Sequence, residues 1–441
     1  MKFIQKKIRS FFPQISIVFC ALLVMLFFNQ CTEFQTEPQP ISKEIKTSQL
    51  SKLTENGLVY DDPYYYSLLP GRDLIIYAHG YYSPEEEDWQ PEDDKIGETY
   101  LWQIANQLGF SYATIRFTSA GLNAPEAVTD LINLVNHLYG LGLPGYEPEH
   151  IYLIGASNGA LITTLAVEQH PDIFSGGLAT CGPVGNFRKQ INYLGDFHIV
   201  FNYFFPRVIP GDPAGIPGNV IDGWDDIYKP AAIAAINANP GATRQLLNVT
   251  RAAIDPADPT TVEKTITDLL WYNVFATNDA INKLDGKPFD NKWKWYWGSD
   301  NDWRLNRKIK RYRADGAALN NINQVFQTSG DLAVPLVMLH TTSDPIVPYW
   351  HEPLYRLKVF ANGSGLKHTN IPVFRYGHCE FEMQDILVGI VVLVFKVALQ
   401  DLFVPESLLP AADSQTEFLQ TARKYGTNPK MKIESKPIKQ Q

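Results

Sequence analysis

The chain is poor in cysteine and has no surplus of positive charge. Four cysteines occur in 441 residues, and with Cys20 and Cys31 at the N-terminus only Cys181 and Cys379 remain to pair. In an exported protein such a pair is a candidate disulfide, whereas in a reducing compartment the same two residues would stay as buried thiols. The formal net charge is −9, and it falls to −13 once Lys2, Lys6, Lys7 and Arg9 leave with a leader. No basic stripe is then available to neutralise phosphates, which argues against a nucleic-acid partner. Zinc-type spacing of His and Cys is missing as well. The acidic runs Glu85-Glu86-Glu87-Asp88 and Glu92-Asp93-Asp94 lack the alternating ligands and glycine of a calcium loop, so they read as solvated loop. Neither a metal nor another cofactor is expected.

What is present suffices for a large core, with 45% hydrophobic and 12% aromatic residues. Length alone suggests two or three domains, although α/β proteins often exceed that prior as one unit. The first thirty residues read as a secretory leader: the four cations, then an apolar run from Ile15 to Phe28 that is too short for a comfortable membrane span. The run ends at Asn29-Gln30-Cys31 and resembles bacterial lipoprotein signals, in which the cysteine is acylated as the new N-terminus. That resemblance implies a lipid on Cys31, a polar tether over 31–56, and an exported protein held to a membrane on the periplasmic or cell-surface side. Phe28 and Asn29 depart from the small or aliphatic residues usual there, so an ordinary cleaved signal and an uncleaved anchor are the alternatives.

Beyond the tether, strands and helices alternate: strand 73–78, helix near 95–108, strand 111–117, helix near 124–139, strand 151–156, helix 158–169, strand 176–181. Asn123 and Pro125 are start signals for the second helix. Such alternation predicts parallel strands joined by right-handed crossovers, with helices on both faces. From Gly185 to about Asp331 the alternation stops, over a stretch too long for a loop in a compact domain. Helical patches appear there at 229–238, 261–276 and 306–328, together with six of the nine tryptophans. Within it Lys292-Trp293-Lys294-Trp295-Tyr296-Trp297 alternates as an edge strand would, and reads as cap core or as pocket lining. The pattern then resumes with strand 335–341, helix 349–360, strand 371–376 and helix 381–402. The uncharged run Ile386 to Phe395 in that last helix is too short for a bilayer and suits a buried face. Residues 404–441 read as a helical end and a disordered tail.

Three residue types sit at strand ends in an informative order. Ser157 lies in Gly155-Ala156-Ser157-Asn158-Gly159, between strand 151–156 and helix 158–169. A serine exposed on so sharp a turn needs neighbours without Cβ, so that strand and helix can approach. Asp344 lies in Thr342-Ser343-Asp344-Pro345 after the next-to-last strand, and His378 in Gly377-His378-Cys379 after the last. A serine hydroxyl is a poor nucleophile until an imidazole takes its proton, and the imidazole needs a carboxylate to fix its tautomer. Ser157, His378 and Asp344 are therefore the candidate nucleophile, base and orienting acid. The plainer readings are a helix-capping serine, a loop histidine and an Asx turn before Pro345.

In this order and context the chain resembles the α/β-hydrolase superfamily over about residues 57–403. The resemblance implies a mostly parallel, doubly wound α/β sheet, with core at 57–184 and 332–403 and a large, mainly helical cap at 185–331 inserted after the sixth strand. Antiparallel first strands would fall within 57–70. It also implies an oxyanion hole: the His79-Gly80-Tyr81 turn after strand 73–78 would supply the backbone N–H of Tyr81, or of Gly80, and Asn158 would supply the other. His378-Cys379 is similar to tannases and feruloyl esterases, where a cysteine beside the histidine is bridged to one beside the serine. Position 156 is Ala, which departs from that pattern; Cys181 on the neighbouring strand could substitute as partner for Cys379, and a buried pair of thiols flanking the site is the alternative. Asn158 among glycines is similar to prolyl-oligopeptidase-like enzymes, but Ala160 replaces a further glycine and no propeller repeat is present. The expected activity is hydrolysis of small-molecule carboxylic esters through an acyl-enzyme. An exopeptidase is the alternative within catalysis, and a non-catalytic surface binding lipoprotein the alternative outside it.

Overall fold

The computed structural model describes residues 52–53, 58–86, 95–97 and 100–402. The leader, Cys31, nearly all of the tether, Glu87, Asp88, Glu92, Asp93, Asp94 and the tail from 404 lie outside the described residues.

The strands are β1 (Lys52–Leu53), β2 (Val59–Asp61), β3 (Tyr64–Ser67), β4 (Leu74–Ala78), β5 (Ser111–Ile115), β6 (Ile151–Ala156), β7 (Gly176–Thr180), β8 (Leu336–Ser343) and β9 (His368–Tyr376). They form one sheet in the order β1-β2-β3-β5-β4-β6-β7-β8-β9. The pairs β1/β2, β2/β3 and β3/β5 are antiparallel, and all others are parallel. Asp61-Asp62-Pro63, which obscures the first strands in the sequence, is the turn between β2 and β3 and contains a cis Asp62-Pro63 bond. Central strands of a parallel sheet must be apolar on both faces, because crossover helices cover both. In β4, β6 and β8, Leu74, Ile76, Leu153 and Met338 face one core, while Ile75, Tyr77, Ile154 and Leu339 face the other. Helices α2 (Ala124–Gly140), α3 (Asn158–Gln169) and α11 (His351–Ala361) cover the first face; α1 (Leu101–Gln107) and α12 (Met383–Leu402) cover the second.

This is an α/β-hydrolase fold, a mostly parallel doubly wound sheet with a helical insertion after the sixth strand counted from β2. The insertion comprises α4 (Phe187–Phe204), α5 (Gly218–Asp222), α6 (Lys229–Ala238), α7 (Pro240–Thr250), α8 (Thr260–Lys283), α9 (Asp302–Lys308) and α10 (Gly316–Asn321). It has a core of its own, built on Phe197, Phe201, Trp224, Leu246, Leu269 and Leu270, which also takes in Ile346 and Val347 from the loop after β8.

Several local expectations fail in this insertion. Three helices, α4, α5 and α7, fall where no helical patch stands out, although capping asparagines mark α4 and α7: Asn186 Oδ1 accepts from Lys189 N at 2.9 Å and Asn239 Oδ1 from Ala242 N at 3.1 Å. The patch at 306–328 is broken by extended chain between α9 and α10, because Asn291 captures that backbone: Tyr312 N donates to Asn291 Oδ1 at 2.7 Å. Lys292–Trp297 is not a strand, and of its residues only Tyr296 belongs to the cap core. It has no regular structure, and Trp293 and Trp297 are 87% and 64% exposed.

Helix α12 is long and apolar enough to cross a membrane by length and composition. In the fold one of its faces, Ile386, Ile390, Leu393 and Val397, packs on the sheet.

Candidate active site

Ser157, Asp344, His378 and the turn at His79 to Tyr81 each follow the C-terminal end of a parallel strand, where an open α/β sheet leaves its crevice. Ser157 follows β6 with φ 55° and ψ −117°, outside the ordinary regions for a residue with a Cβ. Its N–H donates to Thr180 O at 2.9 Å. The flanking glycines have separate reasons. A Cβ on Gly155 would run into the carbonyl of Gly159, and one on Gly159 into the carbonyl of Ala78, so strand, turn and helix close up only without side chains.

His378 comes out of β9 through Gly377, whose φ is +109°. Its Nε2 lies 2.8 Å from Ser157 Oγ and its Nδ1 lies 2.7 Å from Asp344 Oδ2. With Asp344 ionised, Nδ1 carries the proton and Nε2 is left to accept from the serine hydroxyl. Asp344 is fully buried, which alone would push its pKa up; the electrostatic interaction with His378 and hydrogen bonds from His340 and His378 outweigh this and hold it below the usual carboxylate value. Asp344 Oδ1 is occupied by the N–H groups of Ile346 and Val347, at 2.8 and 2.9 Å.

A second histidine stands behind the acid. His340 Nδ1 faces Glu352 Oε1 at 2.9 Å, and its Nε2 faces Val347 O at 2.8 Å and Asp344 Oδ2 at 3.5 Å. Both ring nitrogens thus meet acceptors, and only the imidazolium donates from both. Burial pushes its pKa down, but the hydrogen bonds to Asp344 and Glu352 carry it up to about 10. Asn370 donates to Glu352 from β9, completing the cluster. His351 is the opposite case. Its Nδ1 accepts from Gly185 N at 3.0 Å and Nε2 donates to Gln190 at 3.0 Å, and burial holds it neutral.

The oxyanion turn packs against the elbow. A Cβ on Gly80 would sit 3.6 Å from Ser157 Cβ, so the backbone there approaches the nucleophile closely. His79 is buried against Phe117 and Tyr82, and burial drives its pKa down to about 3. Among the described residues, neither Tyr81 N–H nor Asn158 N–H has an acceptor. The Asn158 side chain is held by Asn123 Oδ1 at 2.9 Å, and Asn123 in turn donates to Ser119 O, so this helix-start asparagine serves the site rather than capping its own helix.

Cys181 and Cys379 are joined as a disulfide, Cα to Cα 5.6 Å, which ties the end of β7 to the residue after His378. Their sulfurs lie with the His378 ring within 4.8 Å, a spacing that would suit a metal if the thiols were free. Bonded to each other, they are not thiolate ligands.

Sequence reasoning missed the cap's contribution. Tyr272, on α8, lines the same cavity as Ser157, and burial raises its phenol well above the ordinary value, so it is neutral. It falls within the expected helical patch 261–276, but nothing in a helix pattern says which residue lines the cavity. The cavity beside Ser157, about 120 Å³, is walled mostly by apolar side chains, among them Phe187, Ile191, Leu194, Phe289 and Val347. Its position is fixed from both sides. Tyr193 donates to Pro345 O at 2.6 Å and Gln190 to Ile346 O at 2.8 Å, tying α4 to the acid loop. Asp279 of α8 accepts from Leu122 N at 2.7 Å.

No protein-family model matches the chain, and no curated protein matches it in sequence. Among solved structures it is similar to the acylaminoacyl peptidase of Pyrococcus horikoshii, at 12% identity and a TM-score of 0.39 over 76% of this chain and 39% of that one. Est1E from Butyrivibrio proteoclasticus is similar at 13% identity and a TM-score of 0.33, covering 78% of this chain and 95% of that one. For the monoacylglycerol lipase of Paleococcus ferrophilus the values are 12% and 0.35, covering 76% and 98%. The chain spans about a third of the peptidase's length in its orthorhombic form. Likeness this low leaves the chemistry of the site to its own residues.

Proposed function

We propose that this chain, an α/β-hydrolase in fold, is a serine hydrolase that cleaves carboxylic esters through an acyl-enzyme. The observation that carries the reading is the unbroken run from Ser157 Oγ to His378 Nε2 at 2.8 Å and from His378 Nδ1 to Asp344 at 2.7 Å, ending in a buried acid. Ser157 Oγ attacks the ester carbonyl carbon as its proton passes to His378 Nε2, and Asp344 stabilises the imidazolium that forms. The carbonyl oxygen becomes an oxyanion facing the N–H groups of Asn158 and Tyr81. Collapse breaks the bond to the alcohol, which leaves with the proton from His378. Water, deprotonated by the same nitrogen, then attacks the acyl carbon and releases the acid and Ser157.

An apolar cavity suits an acyl group better than a charged peptide, which supports the ester over the exopeptidase. Titration with a fluorophosphonate tests the class: one equivalent bound, lost in Ser157→Ala, is expected, and no labelling means a binding protein. Faster turnover of aminoacyl p-nitroanilides than of p-nitrophenyl esters would overturn the substrate assignment alone.

The location is a proposal of the same standing, resting on Asn29-Gln30-Cys31 behind the apolar run. In a bacterial host an alkynyl fatty acid should label the wild type and not Cys31→Ser, with esterase activity kept in both. An unlabelled wild type refutes the anchor.

A further inference from the structure

The stretch from Lys292 through α9 makes a surface that ester hydrolysis does not use. Between residues 292 and 313 eight positions are Lys or Arg and two, Asp300 and Asp302, are acidic, a net of +6 inside a chain of −9. The acidity of the whole chain hides this local reversal. Lys294 and Lys310 are engaged by Asp196 and Asp212, and Arg311 by backbone carbonyls. Lys292, Arg304, Arg307, Lys308 and Arg313 are exposed, with no carboxylate partner among the described residues.

Interleaved with these cations are indoles left in water. Trp303 is 79% exposed, alongside the exposed Trp293 and Trp297. Trp295 joins the cluster at 6.1 Å from Trp297 and 5.1 Å from Trp303. So much aromatic surface is rarely left open on a soluble face without a use. The display is also rigid. Tyr296, buried between the tryptophans, donates through its N–H to Asn306 Oδ1 at 2.9 Å, accepts from Asn306 Nδ2 at 2.7 Å, and is braced at its hydroxyl by Asn291 at 2.9 Å. A loop already fixed loses little freedom when it is bound.

We infer that this face of the cap docks on an anionic lipid surface. Indoles settle at headgroup depth, and Lys and Arg are drawn to an anionic leaflet within a Debye length. A second copy of the chain is a poor occupant, because a two-fold contact would press the same cations together. A single nucleic-acid strand stacks its bases on open ring faces, whereas Trp295 meets its two neighbours edge-on, at 64° and 81°. The docking loop also continues the cavity wall, since Pro288 and Phe289 line the space beside Ser157 and Lys292 follows three residues later.

The test uses the full chain with vesicles of brominated phosphatidylcholine, alone or with one-third phosphatidylglycerol, and reads quenching of tryptophan fluorescence. The first tryptophan is Trp89, so insertion of the N-terminal apolar run is silent in this readout. Quenching on anionic vesicles is expected at lipid concentrations at least about tenfold lower than on neutral ones. Arg304→Glu/Arg307→Glu/Lys308→Glu should erase that preference. Trp297→Ser/Trp303→Ser should weaken quenching of the remaining indoles, with melting temperatures unchanged in both variants. Equal quenching on both vesicles, no quenching, or variants that bind as the wild type does would overturn the inference. So would tighter binding of a single-stranded oligonucleotide, or self-association that the same variants abolish.

Discussion

The sheet and the cap fix their functional residues by different means. In the sheet, Ser157, Asp344 and His378 stand at strand ends, and their spacing follows from backbone pairing of β6, β7, β8 and β9. In the cap, Tyr272 and the apolar cavity wall are located by side-chain packing around Phe197 and Leu269 and by a few ties such as Tyr193 to Pro345. A backbone ladder tolerates little displacement, whereas side-chain packing can be re-made with other residues of similar volume. In the proposed reaction the sheet is thus where bonds would be made and broken, and the cap is where substrates would be sorted.

The comparison breaks if cap residues matter as much as sheet residues. Ser157→Ala should lower kcat for short p-nitrophenyl esters by about 10⁴-fold or more with unchanged circular dichroism. Equal turnover would remove Ser157 from the chemistry. Asp344→Asn should cost about 10⁴-fold, because the amide favours the wrong tautomer of His378. Asp331→Asn, on an exposed residue, should be silent, and the reverse result would mean a misplaced acid.

Tyr272→Phe removes one neutral hydroxyl from the cavity that holds Ser157, for which a loss of no more than about tenfold in kcat is expected, near 1.4 kcal/mol. A loss of 10³-fold or more would move the cap into the chemistry itself.

A further effect concerns pH. His340 holds a proton in the fold up to about pH 10, while an unfolded histidine releases it near pH 6.5. Its contribution to stability is therefore full below about pH 6.5, and is lost as pH rises through about 10. The wild-type melting temperature minus that of His340→Gln should fall between pH 7 and 10. A flat difference would mean that His340 is neutral.

How much could be read from the chain follows the same division. The strands at 73–78, 151–156 and 176–181 were legible because both faces are apolar and glycine turns bound them. The fold class followed, and so did the order of Ser157, Asp344 and His378. The cap was not legible in the same way. Helix α4 carries Gly195 and an aromatic end, which blur its period, and the meeting of Asn291 with Tyr312 spans 21 residues that no local pattern connects. The tryptophans misled for a related reason. Hydrophobicity predicts burial on average, so Trp293 and Trp297 read as core, although only Tyr296 between them turns inward. His340 reads as an ordinary strand residue, since its partner Glu352 lies on the following helix.

The Cys181–Cys379 bond spans 198 residues, and within that span lie the whole cap, β8, Asp344, β9 and His378. In covalent terms the molecule is a ring with two tails, and Ser157 lies on the N-terminal tail side of the clasp. A protease that cuts the exposed loop at Trp293 to Trp297 therefore opens the ring without shedding a fragment. The two pieces would travel together on a denaturing gel until a reductant parts them, one carrying the serine and the other the histidine and the acid.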